Sequence, residues 1–154
     1  MVCLTWGAMS SFFGVNKTDE VAIVPISELR EHEMPHERRV CELEEDMTRR
    51  KLLLKPIVAD SNTKVILDGH CRCRALRNLG CSKVAVKFVD YKSNEIEVGR
   101  WNGGGISKKE VIEAGLSGNL MMPKSSMHIV TRGGKRVHIS ETYRNSPVLL
   151  SKLL

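Results

Sequence analysis

The stretch "KVILDGHCRCRALRNLG", residues 64–80, decides how this chain is read. An apolar, β-type run halts at Asp68-Gly69-His70, and a basic segment follows whose apolar residues Ala75, Leu76 and Leu79 form one stripe, with Gly80 as its stop. The pattern predicts strand, tight turn, helix. A helix N-terminus leaves N–H groups unpaired and carries about half a positive charge, so the Gly69 turn into His70 is a natural seat for a phosphate. Arg72 and Arg74 fall in the first turn, where cations oppose the helix dipole, an arrangement that calls for an anion beside them. Spacing alone equally admits Asp68 as a helix cap, a locally packed His70 and a solvated arginine face. Asp68 is also the kind of single carboxylate through which magnesium joins nucleotide phosphates.

Working outward, "PIVAD" and "KVILD" are short β-type runs around the turn-forming "SNT", which predicts a hairpin. Upstream, Val40, Leu43 and Met47 mark one face of a helix over residues 38–50, ending before Pro56. "VAIVPI" (21–26) reads as a strand, and Ser27 as the cap of a short helical turn through "ELREHE". Residues 1–20 show no period and are read as an irregular arm.

Downstream, "KVAVKFVDY" (83–91) alternates as a half-buried strand does, and "IEVGRW" is a further strand candidate. Gly103 to Gly105 form a loop or hinge before the S-x-x-E capping box of Ser107 and Glu110, which opens a helix reaching about Ser117. In "HIVTRGGKRVHI" two β-type runs flank Gly133-Gly134, a C-terminal hairpin. The fold class is therefore α+β, a mixed sheet with short helices plus that hairpin, in one compact domain of 154 residues without internal repeats.

Lys and Arg number 24 against 18 Asp and Glu, a formal charge of +6 that favours anionic partners such as nucleotides, phosphorylated metabolites or, weakly, nucleic acid. Five cysteines lack paired zinc-type spacing, and neither a secretory leader nor a run of ~20 apolar residues is present, so the expectation is a reduced, cytoplasmic protein with no membrane partner.

In their order, "VPISELREHE", the 38–50 helix, "KPIVAD", "VILDGHCRCRALRNLG" and "VAVKFVDY" resemble the ParB N-terminal-like/sulfiredoxin superfamily, whose core holds nucleotide phosphates at a Gly-x-x-Arg loop. Gly69 and Arg72 stand at those positions. The Asp-Gly-His wording, "LREHE" and "MMPKSSMH" look most like the archaeal free serine kinases, which use ADP to make O-phosphoserine for cysteine biosynthesis. The likeness spans residues 21–140 and divides the domain into a nucleotide-binding core, 21–92, and an extension, 93–154, that completes the substrate site.

This resemblance implies roles for individual residues. Glu33 is the base that takes the serine hydroxyl proton and Asp68 the second catalytic residue, while Asp68, Gly69, His70 and Arg72 hold the phosphates of ADP or ATP, with Mg2+ at Asp68. Trp101, Lys124, Ser125, Ser126 and His128 are implied as substrate contacts. Without the resemblance, Glu33 reads as a surface glutamate, Lys124 as a solvated lysine, Trp101 as a core or edge aromatic and His128 as a hairpin residue. The chain has Asp-Gly-His-Cys-Arg where those kinases have Asp-Gly-His-His-Arg, and it is shorter than they are, which implies a reduced substrate lobe.

A sulfiredoxin-like activity is disfavoured because Cys71 lies one place before Arg72 rather than two. The alternative is a ParB-N-like nucleotide- or DNA-binding, nuclease-like module, since "GHCRCRAL" fits Gly-x-x-Arg-x-Arg-Ala, although no helix-turn-helix follows.

Overall fold

In the computed structural model, residues 20–154 are described; the arm expected over 1–20 lies, except for Glu20, outside them. The main sheet is mixed and has the order β1 (Ala22–Pro25), β5 (Lys83–Val89), β3 (Ile57–Asp60), β4 (Ile66–Asp68). β3 runs parallel to β5, while β1 and β4 are antiparallel to their neighbours. The β3–β4 hairpin predicted from "SNT" is present. Its turn is held by Asp60, whose carboxylate accepts from the Thr63 N–H at 2.9 Å, the Thr63 hydroxyl at 2.7 Å and the Tyr91 N–H at 3.1 Å.

Helices α1 (Glu37–Arg50) and α2 (His70–Asn78) cover one face, with Val40 and Met47 of α1 and Cys73, Ala75 and Leu76 of α2 in a core that includes Ile57, Ala59 and Ile66. Because side chains alternate along a strand, Val58, Val65 and Leu67 face the opposite way. They join Val111 of α3 (Lys108–Ser117) and Val130 of β7 (Met127–Arg132) in a second core. Residues from both halves of the chain thus share one cluster. Such two-sided coverage corrects the half-buried reading of 83–91: Val84 to Lys87 are all buried, as befits a strand with a neighbour on each side.

The capping box at Ser107 and Glu110 forms as read, and α3 ends at Gly118. β6 (Ile96–Gly99), β7 and β8 (Lys135–His138) make an antiparallel meander, with Gly133 and Gly134 at φ 55° and 76° in the expected hairpin turn. Two short strands, β2 (Leu52–Leu53) and β9 (Val148–Leu149), pair beyond it. Leu153 is fully buried, so the C-terminal segment closes the first core.

One local expectation fails. Ser27 lies inside a single 3-10 turn, Ile26–Glu28, without capping it, and "LREHE" is extended rather than helical. Arg30 bridges to Val65 and Glu33 to Met121, so the backbone hydrogen bonds of this segment go to Lys64, Ile66 and Met121, far along the chain. That extension carries Glu31, His32 and Glu33 along the edge of β4.

Candidate active site

The structure builds the predicted strand–turn–helix as β4, Gly69 and α2. Gly69 is the N-cap at φ +107°, and a Cβ there would lie 2.9 Å from an Arg72 guanidinium nitrogen and 3.1 Å from Ile57. Only glycine allows both the turn and the close passage of Arg72. The guanidinium donates to Asp68 Oδ2 at 2.8 Å and to the Tyr143 hydroxyl at 3.2 Å, and Tyr143 donates to the same Asp68 oxygen. Burial works to raise the Asp68 carboxyl, but the Arg72 charge and the Tyr143 bond outweigh it and hold the group below its ordinary value. Oδ1 of Asp68 accepts no hydrogen bond from the described residues.

Asp68 therefore does not cap α2, and the anion inferred between Arg72 and Arg74 is not needed to balance them. Arg74 points away from the cleft to Glu31, at 3.0 Å, where Arg77 also pairs at 3.3 Å. The extended run before α1 places this buried carboxylate beside α2, a contact across 43 residues that no local pattern announces.

Across from Asp68 stands Glu33. Its Oε2 accepts from the Ser126 backbone N–H at 3.2 Å and lies 3.2 Å from the Ser126 hydroxyl. Burial pushes the Glu33 carboxyl above its ordinary value, against the pull of the Ser126, Ser125 and Lys124 backbone N–H groups. Lys124, at the start of this loop, adopts the left-handed conformation, φ 57°. Glu33 is thus a half-hidden carboxylate with raised proton affinity rather than a surface glutamate.

Behind Glu33 lies a layer of three buried histidines. His32 and His70 meet edge to face with centroids 4.5 Å apart, and His128 packs 5.9 Å from His32. Nδ1 of His32 donates to the Ile66 carbonyl at 2.7 Å, and its Nε2 lies 2.7 Å from the Ser126 hydroxyl. His70 Nε2 accepts from the His32 backbone N–H at 3.4 Å, which leaves its Nδ1 facing Glu33 Oε1 at 3.9 Å. His128 shares a 2.8 Å hydrogen bond with the Tyr91 hydroxyl. Burial lowers His32 to about 4 and His128 to about 3 and takes His70 well down, so all three are neutral near pH 7.

These groups line a cleft of about 330 Å³, and Glu33, Asp68, Gly69, His70, Arg72, Trp101, Lys124, Ser126 and His128 all reach it. Ser125 does not: its hydroxyl turns back to the Met122 carbonyl. A second recess of about 370 Å³ shares Glu33, Arg39, His70, Cys71 and Lys124 with the first. Trp101 stands at the mouth, 58% exposed, donating to the Ser126 carbonyl at 3.2 Å and lying over His138 at 5.6 Å.

Sequence reasoning missed Lys55, which donates to the Ser140 carbonyl at 2.6 Å, along with His138, Tyr143 and His32. Only His32 carried a signal, sitting one residue before Glu33. Among the described residues no group of three or more His, Cys, Asp or Glu is placed to hold a metal, and no helix is long and apolar enough to cross a membrane.

No family model matches the chain. A ParB-like protein of Sulfolobus acidocaldarius is 40% identical over 57 residues, a match that takes in 37% of this chain and 29% of that protein. Among solved structures, a free serine kinase in complex with AMP superposes with a TM-score of 0.74 at 14% identity, covering 90% of this chain and 95% of the kinase. A mutant of that kinase in complex with ADP gives 0.72 with the same coverage, and a conserved hypothetical protein from Pyrococcus furiosus gives 0.68 at 15% identity, with 90% and 99% covered. The fold of the kinase chain is thus matched over nearly its whole length. The α+β fold of this protein is that of the free serine kinase structures, with a ParB-like sequence segment inside it.

Proposed function

We propose that this protein is a kinase that moves a phosphoryl group from ADP or ATP to the hydroxyl of free L-serine, giving O-phosphoserine. The observation that carries the reading is the place of Glu33: a buried carboxylate with raised proton affinity, at the seam of two recesses, facing the Asp68–Arg72 end of α2. Phosphoryl transfer asks the protein mainly for positioning and charge, plus a group to accept the nucleophile's proton. The fold shared with kinase structures that hold AMP and ADP supports a nucleotide as donor.

In this reading the first recess takes the donor phosphates, on the α2 N-terminal N–H groups and Arg72, with Lys55 and Lys124 supplying further positive charge. The second recess takes the acceptor, with Lys124 on the wall it shares with the first, where Trp101, Ser126 and His128 lie. The serine oxygen forms a bond to the terminal phosphorus as the bond from that phosphorus to the bridging oxygen breaks. Glu33 takes the hydroxyl proton, and the nucleotide departs as AMP from ADP, or ADP from ATP.

Asp68, kept ionised by Arg72 with Oδ1 free of donors among the described residues, would hold a magnesium ion alongside the donor phosphates, and that ion when bound would supply charge neutralisation on the phosphates.

The test is incubation with ADP or ATP, magnesium and a panel of free amino acids. Phosphoserine appearing in step with AMP or ADP is the expected result; no phosphorylated product with any donor sinks the reading. A second reading, a ParB-N-like nucleotide- or DNA-binding module, draws on the ParB-like relative. Under the kinase reading DNA binding is weak and fades steeply with salt; sequence-specific retention at physiological salt would favour the module.

A further inference from the structure

The Ser126 hydroxyl has one proton and two neighbours that want it: His32 Nε2 at 2.7 Å and Glu33 Oε2 at 3.2 Å. Which one receives it is decided on the far side of His32. The Ile66 carbonyl, 2.7 Å from Nδ1, can only accept, so the ring proton sits on Nδ1. Neutral His32 therefore has a bare Nε2, and the shorter contact takes the hydroxyl proton. Oγ of Ser126 then turns its lone pairs toward Glu33. An ionised Glu33 meets an oxygen there with no proton between them; a protonated Glu33 can donate to it.

We propose that His32 and Ser126 are positioning residues for Glu33: the Ile66–His32–Ser126 chain sets the Ser126 hydroxyl as an acceptor toward Oε2 and so makes Glu33 the readier recipient of the acceptor's proton. The inference rests on Glu33 being the base. Other titratable groups around Glu33 are His70, with Nδ1 at 3.9 Å, and Arg39, Lys124 and Cys71 on the shared recess walls, with Asp68, Arg72, Lys55 and His138 across the cleft. None of these touches the Ser126 hydroxyl, so its removal isolates the chain.

The test combines the pH dependence of kcat with NMR titration of the Glu33 carboxyl in the wild type and in Ser126→Ala. Alanine keeps the backbone N–H that Glu33 accepts but removes the facing lone pairs. The Glu33 midpoint and the acidic limb of the kcat profile should both move down by about one pH unit, the scale of one hydrogen bond to a charged group. KM for nucleotide should stay put. His32→Leu frees the hydroxyl to donate to Glu33 and should move the midpoint further down, an extra effect that vanishes in the His32→Leu/Ser126→Ala double variant.

A midpoint that is unchanged or rises in folded Ser126→Ala overturns the proposal. If the midpoint falls while the kcat profile does not follow, the hydroxyl orientation is upheld and Glu33 is removed as base. Should the variants fail to fold, the 15N shifts of His32 in the unmutated protein decide: a proton on Nδ1 supports the chain, and one on Nε2 overturns it.

Discussion

The two walls of the cleft are built on opposite electrostatic plans. At the N-terminus of α2, Asp68, Arg72 and Tyr143 form a tight cluster of full charges and hydrogen bonds. On the other wall Glu33 is backed by His32, His70 and His128, all neutral because burial forbids their charge. A charged cluster holds its ionisation over a wide pH range and suits the grip on an anion. A carboxylate backed by neutral rings forms no Lys or Arg ion pair among the described residues, and burial raises its proton affinity. On the proposed function the contrast separates binding from proton transfer, and the larger predicted effects strike one wall or the other.

The largest effect is expected at Glu33. Glu33→Gln keeps the shape and the Ser126 contact but cannot take a proton, so kcat should fall by ~100-fold or more with nucleotide affinity nearly unchanged. If affinity for the magnesium nucleotide falls alongside the rate, Glu33 belongs to the binding wall and the contrast collapses.

Arg72→Ala attacks the charged wall. Calorimetry should show nucleotide affinity weakened about 10- to 100-fold, since charge-assisted hydrogen bonds are lost and Asp68 is left buried without its counter-charge. Unchanged affinity would move the phosphate site away from Gly69.

The histidine wall should announce itself in acid. His32 and His128 titrate near 4 and 3 when folded against an ordinary 6.5, so as pH falls below 6.5 the unfolded chain binds protons that the folded chain refuses. Stability is then lost with falling pH, by about 1.4 kcal/mol per unit for each histidine between roughly pH 6 and 4, softened by Glu33, whose raised value acts in the opposite sense. Asp68, held low, adds its loss only below the ordinary carboxylate range. Urea unfolding at pH 7, 5.5 and 4.5 reads the slope; a flat profile means that the three rings are not buried as neutral groups.

Smallest of all is Cys71, which lines both recesses, packs against the first core and makes one polar contact among the described residues, 3.9 Å from its thiol to the His36 carbonyl. Cys71→Ala should leave turnover within about twofold, as no thiol is required for phosphoryl transfer. Abolished turnover in a folded, nucleotide-binding variant would bring redox chemistry back.

Much of the charged wall was legible in residues 64–80, because an apolar run, a Gly-His turn and a helical stripe are local signals. The other wall was not. Glu33 and Ser126 are 93 residues apart, and "LREHE" taken alone suggests a helical turn. Its backbone instead pairs with Val65 and Met121, and that pairing turns Glu33 inward. The resemblance to the serine kinases picked out Glu33; composition and spacing did not.

What the sequence by itself determined are features whose cause is local: the β3–β4 hairpin around Asp60 and Thr63, the capping box at Ser107 and Glu110, the Gly133-Gly134 turn, and glycine at 69. Each rests on hydrogen bonds or φ limits within a few residues, which a pattern of side chains can record. The tertiary structure alone decided that Glu31 would absorb Arg74 and Arg77, that Tyr143 would seal Asp68, and that three histidines would lose their charge behind Glu33. Those outcomes depend on desolvation and on partners 34 to 94 residues away, and both come into being only when the sheet, α2 and the loop at 124–126 close on one another.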